Sequence, residues 1–156
     1  MIYIAIGSNL PSKYGNRFKN IELAISFLKE EKIKIINRSS FYETFSYPNK
    51  KDPKFINIVV SVQSDLTPPD LMEILLNIEK KLERKRIKKN EPRTCDLDII
   101  DYNKKVINLI SNNFNLTLPH KELSKRNFVL HPLKEISPNW THPVTKKNID
   151  VLINDL

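Results

Sequence analysis

At 156 residues the chain fits one domain with its own core, because folding at that length buries roughly 68–70% of the surface an unfolded chain exposes. A formal charge of +8, from 26 Lys and Arg against 18 Asp and Glu, favours a polyanionic partner such as a nucleotide triphosphate or nucleic acid, although many of the lysines belong to a chain rich in Ile, Asn and Lys throughout. A single cysteine, Cys95, excludes an internal disulfide and a cysteine-built zinc site; no run of about 18 apolar residues is present and M-I-Y-I-A-I-G lacks the form of a signal peptide, so a soluble cytoplasmic protein is expected.

Residues 2–6, I-Y-I-A-I, read as a strand ending at the turn cluster Gly7-Ser8-Asn9. Phe18, Ile21, Ile25 and Leu28 recur at three- and four-residue spacing and predict a helix over 16–29. Strands follow at 33–42 and 55–64, separated by the long loop S-Y-P-N-K-K-D-P. Thr67-Pro-Pro-Asp70 is a helix start, and Leu71, Leu75, Ile78 and Leu82 carry the apolar stripe on to about Arg86. A basic loop, K-R-I-K-K-N-E-P, leads into the strand P-R-T-C-D-L-D-I-I-D. The order is βαββαβ, which predicts a single α+β domain of the ferredoxin-like kind, an antiparallel sheet with both helices on one face. From about Val106 onward, prolines break the apolar runs. This C-terminal extension is expected to wrap one edge or end of the sheet, with one short helix near 121–125.

Alternation assigns faces. Ile56, Ile58, Val60 and Val62 belong under the helices, which leaves Phe55, Asn57, Val59 and Ser61 on the other side. Phe55 beside Asn57 can stack a flat heterocycle and hydrogen-bond its edge, or belong to an ordinary mixed surface or to one covered by the C-terminal extension. In the first strand Tyr3, Ala5 and Gly7 share that face. The split βαβ arrangement puts this strand between the third and fourth, so Ala5 and Gly7 floor a gap between Phe55/Asn57 and the fourth strand.

There Cys95, Leu97 and Ile99 point to the core, while Asp96 and Asp98 sit side by side on the opposite face. Neighbouring carboxylates repel and raise each other's pKa unless a cation stands between them. Hard oxygen ligands suit Mg²⁺, which takes one or two carboxylates and completes its shell with water and phosphates. Arg93, just ahead of the pair, would face the other side of a phosphate chain. Glu79, at the rim of its helix's apolar stripe, reads as a helix-surface carboxylate or as a support reaching the site through water. Arg84 and Arg86 either complement the helix dipole or swing over a ligand. Among the histidines His120 stands out, with Arg126, Asn127 and Phe128 close behind, whereas His131 and His142 read as structural. Cys95, on the core face, is a poor nucleophile candidate.

I-A-I-G-S-N-L at 4–10, S-S-F-Y-E-T at 39–44, F-I-N at 55–57, P-R-T-C-D-L-D-I at 92–99, and L-P-H, R-N-F-V-L and P-L-K-E-I-S-P within 118–138 together resemble the 6-hydroxymethyl-7,8-dihydropterin pyrophosphokinases of folate biosynthesis. The resemblance implies pyrophosphate transfer from ATP to the hydroxymethyl group of the pterin, with release of AMP, by a monomer acting on small molecules without nucleic acid or membrane. It implies two Mg²⁺ ions on Asp96 and Asp98, and a pterin sandwiched by Phe55 and Phe128 and read by Asn57 and Thr44. Arg84 and Arg93, in or beside a mobile loop, join the two aspartates as catalytic residues. Glu79, Ile99, His120 and Arg126, with both arginines, are implied at ATP. Two departures stand out: Asn90 and Glu91 occupy the places of a common Trp-Gly, and Asn115 that of an arginine.

An RNA-recognition module has the same element order. Its third strand, however, expects the pattern K/R-G-F/Y-G/A-F-V-x-F/Y. F-I-N-I-V-V-S-V has neither the glycines nor the paired aromatics, and two aspartates on the sheet would repel a phosphate backbone. A ligand-binding regulatory domain without catalysis is the third alternative.

Overall fold

The computed structural model describes residues 1–46, 48–85 and 87–156. The expected alternation produces β1 (Ile2–Ser8), β4 (Phe55–Gln63) and β5 (Asp96–Tyr102), flanked by β2 (Lys34–Arg38) and β3 (Tyr42–Thr44). The sheet runs β2-β4-β1-β5, with β3 also paired to β4, and every pairing is antiparallel. The strand expected over 33–42 is divided because Ser39 turns in to serve Val59, accepting its N–H on Oγ at 3.0 Å and donating its own to the Val59 carbonyl at 2.9 Å.

α1 (Arg17–Glu30) starts where Asn16 accepts the Lys19 N–H at 3.0 Å. α2 (Pro68–Lys81) starts where Thr67 accepts from Asp70 at 3.4 Å, its prolines lying in the first turn, where missing N–H groups cost nothing. This helix stops before the expected Arg86, which lies outside the described residues. Glu83 takes a left-handed φ of 68°, and the N–H groups of Glu83 and Arg84 return to the carbonyls of Lys80 and Glu79, both at 3.0 Å. That reversal is a Schellman close. Both helices cover one face, where Ile4, Ile6, Ile58, Val60 and Leu97 meet Ile21, Leu28, Leu71 and Leu75.

The C-terminal part differs from expectation. A hairpin, β6 (Ile107–Ile110) and β7 (Asn115–Leu118), extends the helix-side core past β5 through Leu116 and Leu118. Beyond it, a 3₁₀ turn (Leu123–Lys125), α3 (Asn127–Ile136) and α4 (Ile149–Asn154) lie on the opposite face of the sheet rather than at an edge or end. The reason is apolar area: Tyr3, Val59 and Ile100 point that way and are covered by Val129, Leu130, Leu133, Trp140 and Leu152. Ile100 reaches this side by plain alternation after Ile99, and the register shift between Tyr3 and Ile4 brings Asp101, paired with Tyr3, to the same side. Asp101, fully buried, accepts from Trp140 Nε1 at 2.8 Å and fixes this layer to β5. The sheet face on which an RNA module would stack bases is thus largely covered.

α3 is also fastened to the β2–β3 turn. Glu135 accepts from the Ser40 N–H at 2.8 Å, the Ser40 hydroxyl at 3.0 Å and the Tyr42 phenol at 2.6 Å. Burial, then the hydrogen bond and charge of Glu135, push the Tyr42 phenol up to about 12. A group whose pKa rises on folding contributes fully below its unfolded value of about 10 and loses that contribution as pH climbs through the folded value. A difference ultraviolet titration, wild type minus Tyr42→Phe, should therefore show one phenol ionising near 12. Alkaline unfolding of the variant should lack the matching limb; a phenol ionising near 10 would contradict the contact.

Candidate active site

Gly7 is paired with Asn57 on one side and Asp96 on the other, and Ala5 with Val59 and Asp98. On this face the side chains of β1 shrink from Tyr3 through Ala5 to Gly7, which leaves room beside the carboxylates. A Cβ on Gly7 would stand 2.6 Å from Asn57 Oδ1, well inside van der Waals contact. Glycine is therefore required for Asn57 to keep its place, donating from Nδ2 to Thr44 Oγ1 at 3.1 Å.

The two carboxylates are neutralised unequally. Asp96 accepts from Arg84 at 3.1 Å and from Arg93 at 3.3 Å. Burial works against its charge, but the two guanidinium groups outweigh burial and hold the carboxyl below its ordinary value. Asp98 has Arg126 Nη1 at 3.7 Å and His120 Nε2 at 3.9 Å. Burial first and Asp96 second push the Asp98 carboxyl up to about 7. His120 cannot compensate: burial and then Arg126 lower its pKa to about 4, so it is neutral near pH 7. Its Nδ1 accepts from the Glu122 N–H at 3.1 Å, which places the remaining proton on Nε2, facing Asp98.

Arg84 is aimed by the closing turn of α2. Its Nη1 also donates to Glu79 Oε2 at 2.9 Å and to the Cys95 carbonyl at 3.1 Å. Burial opposes its charge, yet Asp96 and Glu79 raise its pKa. Glu79 is only 2% exposed and accepts the Leu97 N–H at 2.8 Å. It is thus not a helix-surface carboxylate: it holds the start of β5 and Arg84 directly.

Two adjoining cavities meet at these residues. The first, about 390 Å³, is polar and basic, lined by Arg84, Lys88, Asp96, Asp98, His120 and Arg126 among others. The second, about 750 Å³, contains Thr44, Phe45, Phe55, Asn57 and Phe128. Lys89, Asn90, Arg93, Asp96 and Arg126 line both. The Arg93 guanidinium lies 5.0 Å from the Phe55 ring centre and that of Arg126 5.5 Å from Phe128. Each ring thus has an arginine, and each arginine reaches one aspartate.

Of the expected residues, Thr44, Phe55, Asn57, Phe128, Arg84, Arg93, Asp96, Asp98, His120 and Arg126 are brought together. Ile99 is not: its side chain, 2% exposed, is packed under the helices, so no side-chain contact of Ile99 with a nucleotide is available. Asn115 begins β7 on the surface and lines neither cavity. Phe45 and Lys89 are cavity residues that pattern reading passed over. The signal for Phe45 was its place next to Thr44 at the mouth of a long loop; a lysine in a basic run gives none.

Among the described residues no group of three or more His, Cys, Asp and Glu forms a metal cage. Two carboxylates, 26% and 29% exposed, instead fit Mg²⁺ arriving with a polyphosphate, which completes its shell with phosphate oxygens and water.

Fold and site together define an α+β sheet domain with a polyanion cleft beside an aromatic slot. The sequence pattern of the family described as 7,8-dihydro-6-hydroxymethylpterin-pyrophosphokinase matches residues 3–138. A folic acid synthesis protein of Pneumocystis carinii is 41% identical over 148 residues, 95% of this chain and 19% of its own. The 2-amino-4-hydroxy-6-hydroxymethyldihydropteridine pyrophosphokinase of Aquifex aeolicus is 34% identical over 146 residues, 94% of this chain and 86% of its own. Among solved structures, the Plasmodium falciparum HPPK-DHPS with pteroate superposes with a TM-score of 0.74 at 15% identity, covering 99% of this chain and 44% of that one; this likeness speaks for the fold. The chain thus spans about a fifth of the length of the Pneumocystis relative and most of the Aquifex one. It belongs to the 7,8-dihydro-6-hydroxymethylpterin-pyrophosphokinase family.

Gly7→Ala should force the Asn57 amide away from Thr44 and cost about 1–3 kcal/mol of stability, the usual penalty for overpacking. Urea unfolding together with the side-chain amide resonances of Asn57 checks it; an unshifted amide would show that the strand yields instead.

Proposed function

We propose that this chain transfers the β,γ-diphosphoryl group of ATP to the hydroxymethyl oxygen of 6-hydroxymethyl-7,8-dihydropterin, releasing AMP, in folate synthesis. The observation that carries the reading is the junction of two unlike cavities at Asp96, Arg93 and Arg126. One has the charge for a triphosphate and the other has rings for a flat heterocycle, so the two substrates would meet at the shared residues. The names of the bacterial relatives support the same chemistry.

In this reading Phe55 and Phe128 flank the pterin, while Asn57, steadied by Thr44, reads its edge. The hydroxyl must approach the β-phosphorus in line with AMP leaving, so the main contributions are positioning and charge stabilisation. Arg84 and Arg93 stand on the Asp96 side of the phosphate chain, and Arg126 on the Asp98 side. Neutral His120 donates from Nε2, and Glu79 keeps Arg84 in place. Two Mg²⁺ ions at Asp96 and Asp98 would supply neutralisation of the phosphate oxygens. Among the described residues no helix is long and apolar enough to cross a membrane, in keeping with a cytoplasmic enzyme, which we take to be monomeric.

Purified protein given ATP, Mg²⁺ and the hydroxymethyl pterin should form AMP in step with pterin diphosphate. Omitting the pterin or the metal should stop it. Asp98→Ala should lower turnover by about a hundred- to a thousandfold, the scale of losing a main electrostatic contact to transferring phosphate. Formation of ADP, or full turnover by Asp98→Ala, would overturn the assignment.

A further inference from the structure

Asn9, 2% exposed, belongs to the turn that ends β1, lines neither cavity and yet is bonded to both sides of the site. Its Oδ1 accepts the Arg93 N–H at 2.6 Å. Its Nδ2 donates to Ser46 Oγ at 3.1 Å and to the Pro53 carbonyl at 3.0 Å. Its backbone N–H and that of Leu10 both donate to the Arg93 carbonyl, at 3.1 and 3.2 Å. The orientation of the amide is dictated by its partners, because a backbone N–H can only donate and a carbonyl only accept.

Ser46 and Pro53 form the neck of the long loop between β3 and β4, and the Ser46 hydroxyl donates to the Pro53 carbonyl across it. Phe45 immediately precedes this neck and Phe55 follows it by two residues; both line the aromatic cavity. On the other side, Arg93 carries its guanidinium to Asp96 and over the Phe55 ring. The turn itself is anchored on α1: buried Asn20 donates from Nδ2 to the Leu10 carbonyl at 2.9 Å and to Ser8 Oγ at 3.4 Å. A buried amide with every polar atom engaged is a rigid spacer, since shifting either partner leaves a donor or acceptor unpaired.

We propose that Asn9 is a positioning residue that sets the seat of the heterocycle in register with Arg93 by joining the neck of the 46–53 loop to the backbone that aims the guanidinium. The proposal rests on the reading of the aromatic cavity as the pterin site.

The variants separate the two halves of the spacer. Asn9→Asp keeps an oxygen for the Arg93 N–H but turns an acceptor towards the Pro53 carbonyl, so it releases only the neck. Asn9→Ala releases both. Wild-type AMP formation is measured first: without it the pterin reading fails and this inference falls with it. Given that activity, Asn9→Asp should raise the pterin KM about tenfold, as an opposed acceptor pair at a buried carbonyl implies, and leave the dissociation constant of a nonhydrolysable ATP analogue within about twofold. Hydrogen exchange at the Arg93 amide should stay slow in Asn9→Asp and become fast in Asn9→Ala, whose kcat should fall further. An unchanged pterin KM in Asn9→Asp overturns the proposal. So does equal weakening of both substrates with a lowered Tm, which would mark a role in folding alone. Should Asn9→Asp fail to fold, Ser46→Ala, which removes both hydroxyl bonds at the neck, to Asn9 and to Pro53, must raise the pterin KM about threefold; no rise sinks the idea equally.

Discussion

Two carboxylates on one face of β5, a single residue apart, cannot both hold a charge in a partly buried cleft unless positive groups are brought to them, and four elements end where that need is met. At about 4 Å two unit charges interact with roughly 4 kcal/mol at an effective dielectric constant of 20, comparable to a large part of a domain's net stability. The closing turn of α2 delivers Arg84, the approach to β5 delivers Arg93, the first residue before α3 delivers Arg126, and the exit from β7 delivers His120. Among the described residues Asp96 receives two guanidinium groups and Asp98 one, at longer range, with an imidazole that burial keeps neutral. Asp98 is therefore the carboxylate short of positive charge, and an added cation gains most beside it.

The same constraint explains the shape of the sheet. Both faces are covered, one by α1 and α2 and the other by α3 and α4. The second cover ends where the side chains of β1 taper from Tyr3 to Gly7. Tyr3 belongs to that layer, donating its hydroxyl to Ser137 at 2.9 Å, whereas Gly7 leaves Asn57 and Asp96 facing a common space. A fold with two full layers thus keeps one end of one face open to a ring and a phosphate chain. The paired arrangement of Arg93 with Phe55 and Arg126 with Phe128 closes that end from two sides.

The alternating strands, the two capped helices and the paired aspartates were legible because each is a local pattern: period two, period near 3.6, and like charges two residues apart. The second layer was not. In α3 the apolar residues Val129, Leu130 and Leu133 are interrupted by Pro132, which removes an N–H and normally argues against a helix interior. Glu79 was misjudged for a different reason. Helical periodicity places it at the rim of a stripe, but only the approach of β5 reveals that the Leu97 amide and Arg84 both need its carboxylate. Asn9 read as a turn residue since its side-chain partners lie 37, 44 and 84 positions away, beyond any local rule.

The loop before β5, where the resemblance leads one to expect Trp-Gly, is shaped from within. Asn90 adopts a φ of 60°, a left-handed conformation that asparagine tolerates better than most side chains. Glu91 then accepts the Ile87 N–H at 2.9 Å, and this bond, with a second from the Lys88 backbone, lowers its pKa. A carboxylate that closes its own turn needs no ring to give the loop form, and the segment's far end is fixed where Arg93 bonds to Asn9. Within that turn Lys89 and Asn90 border both cavities. The loop thus presents the feature the charges require: a short basic segment beside the shared edge of the two hollows.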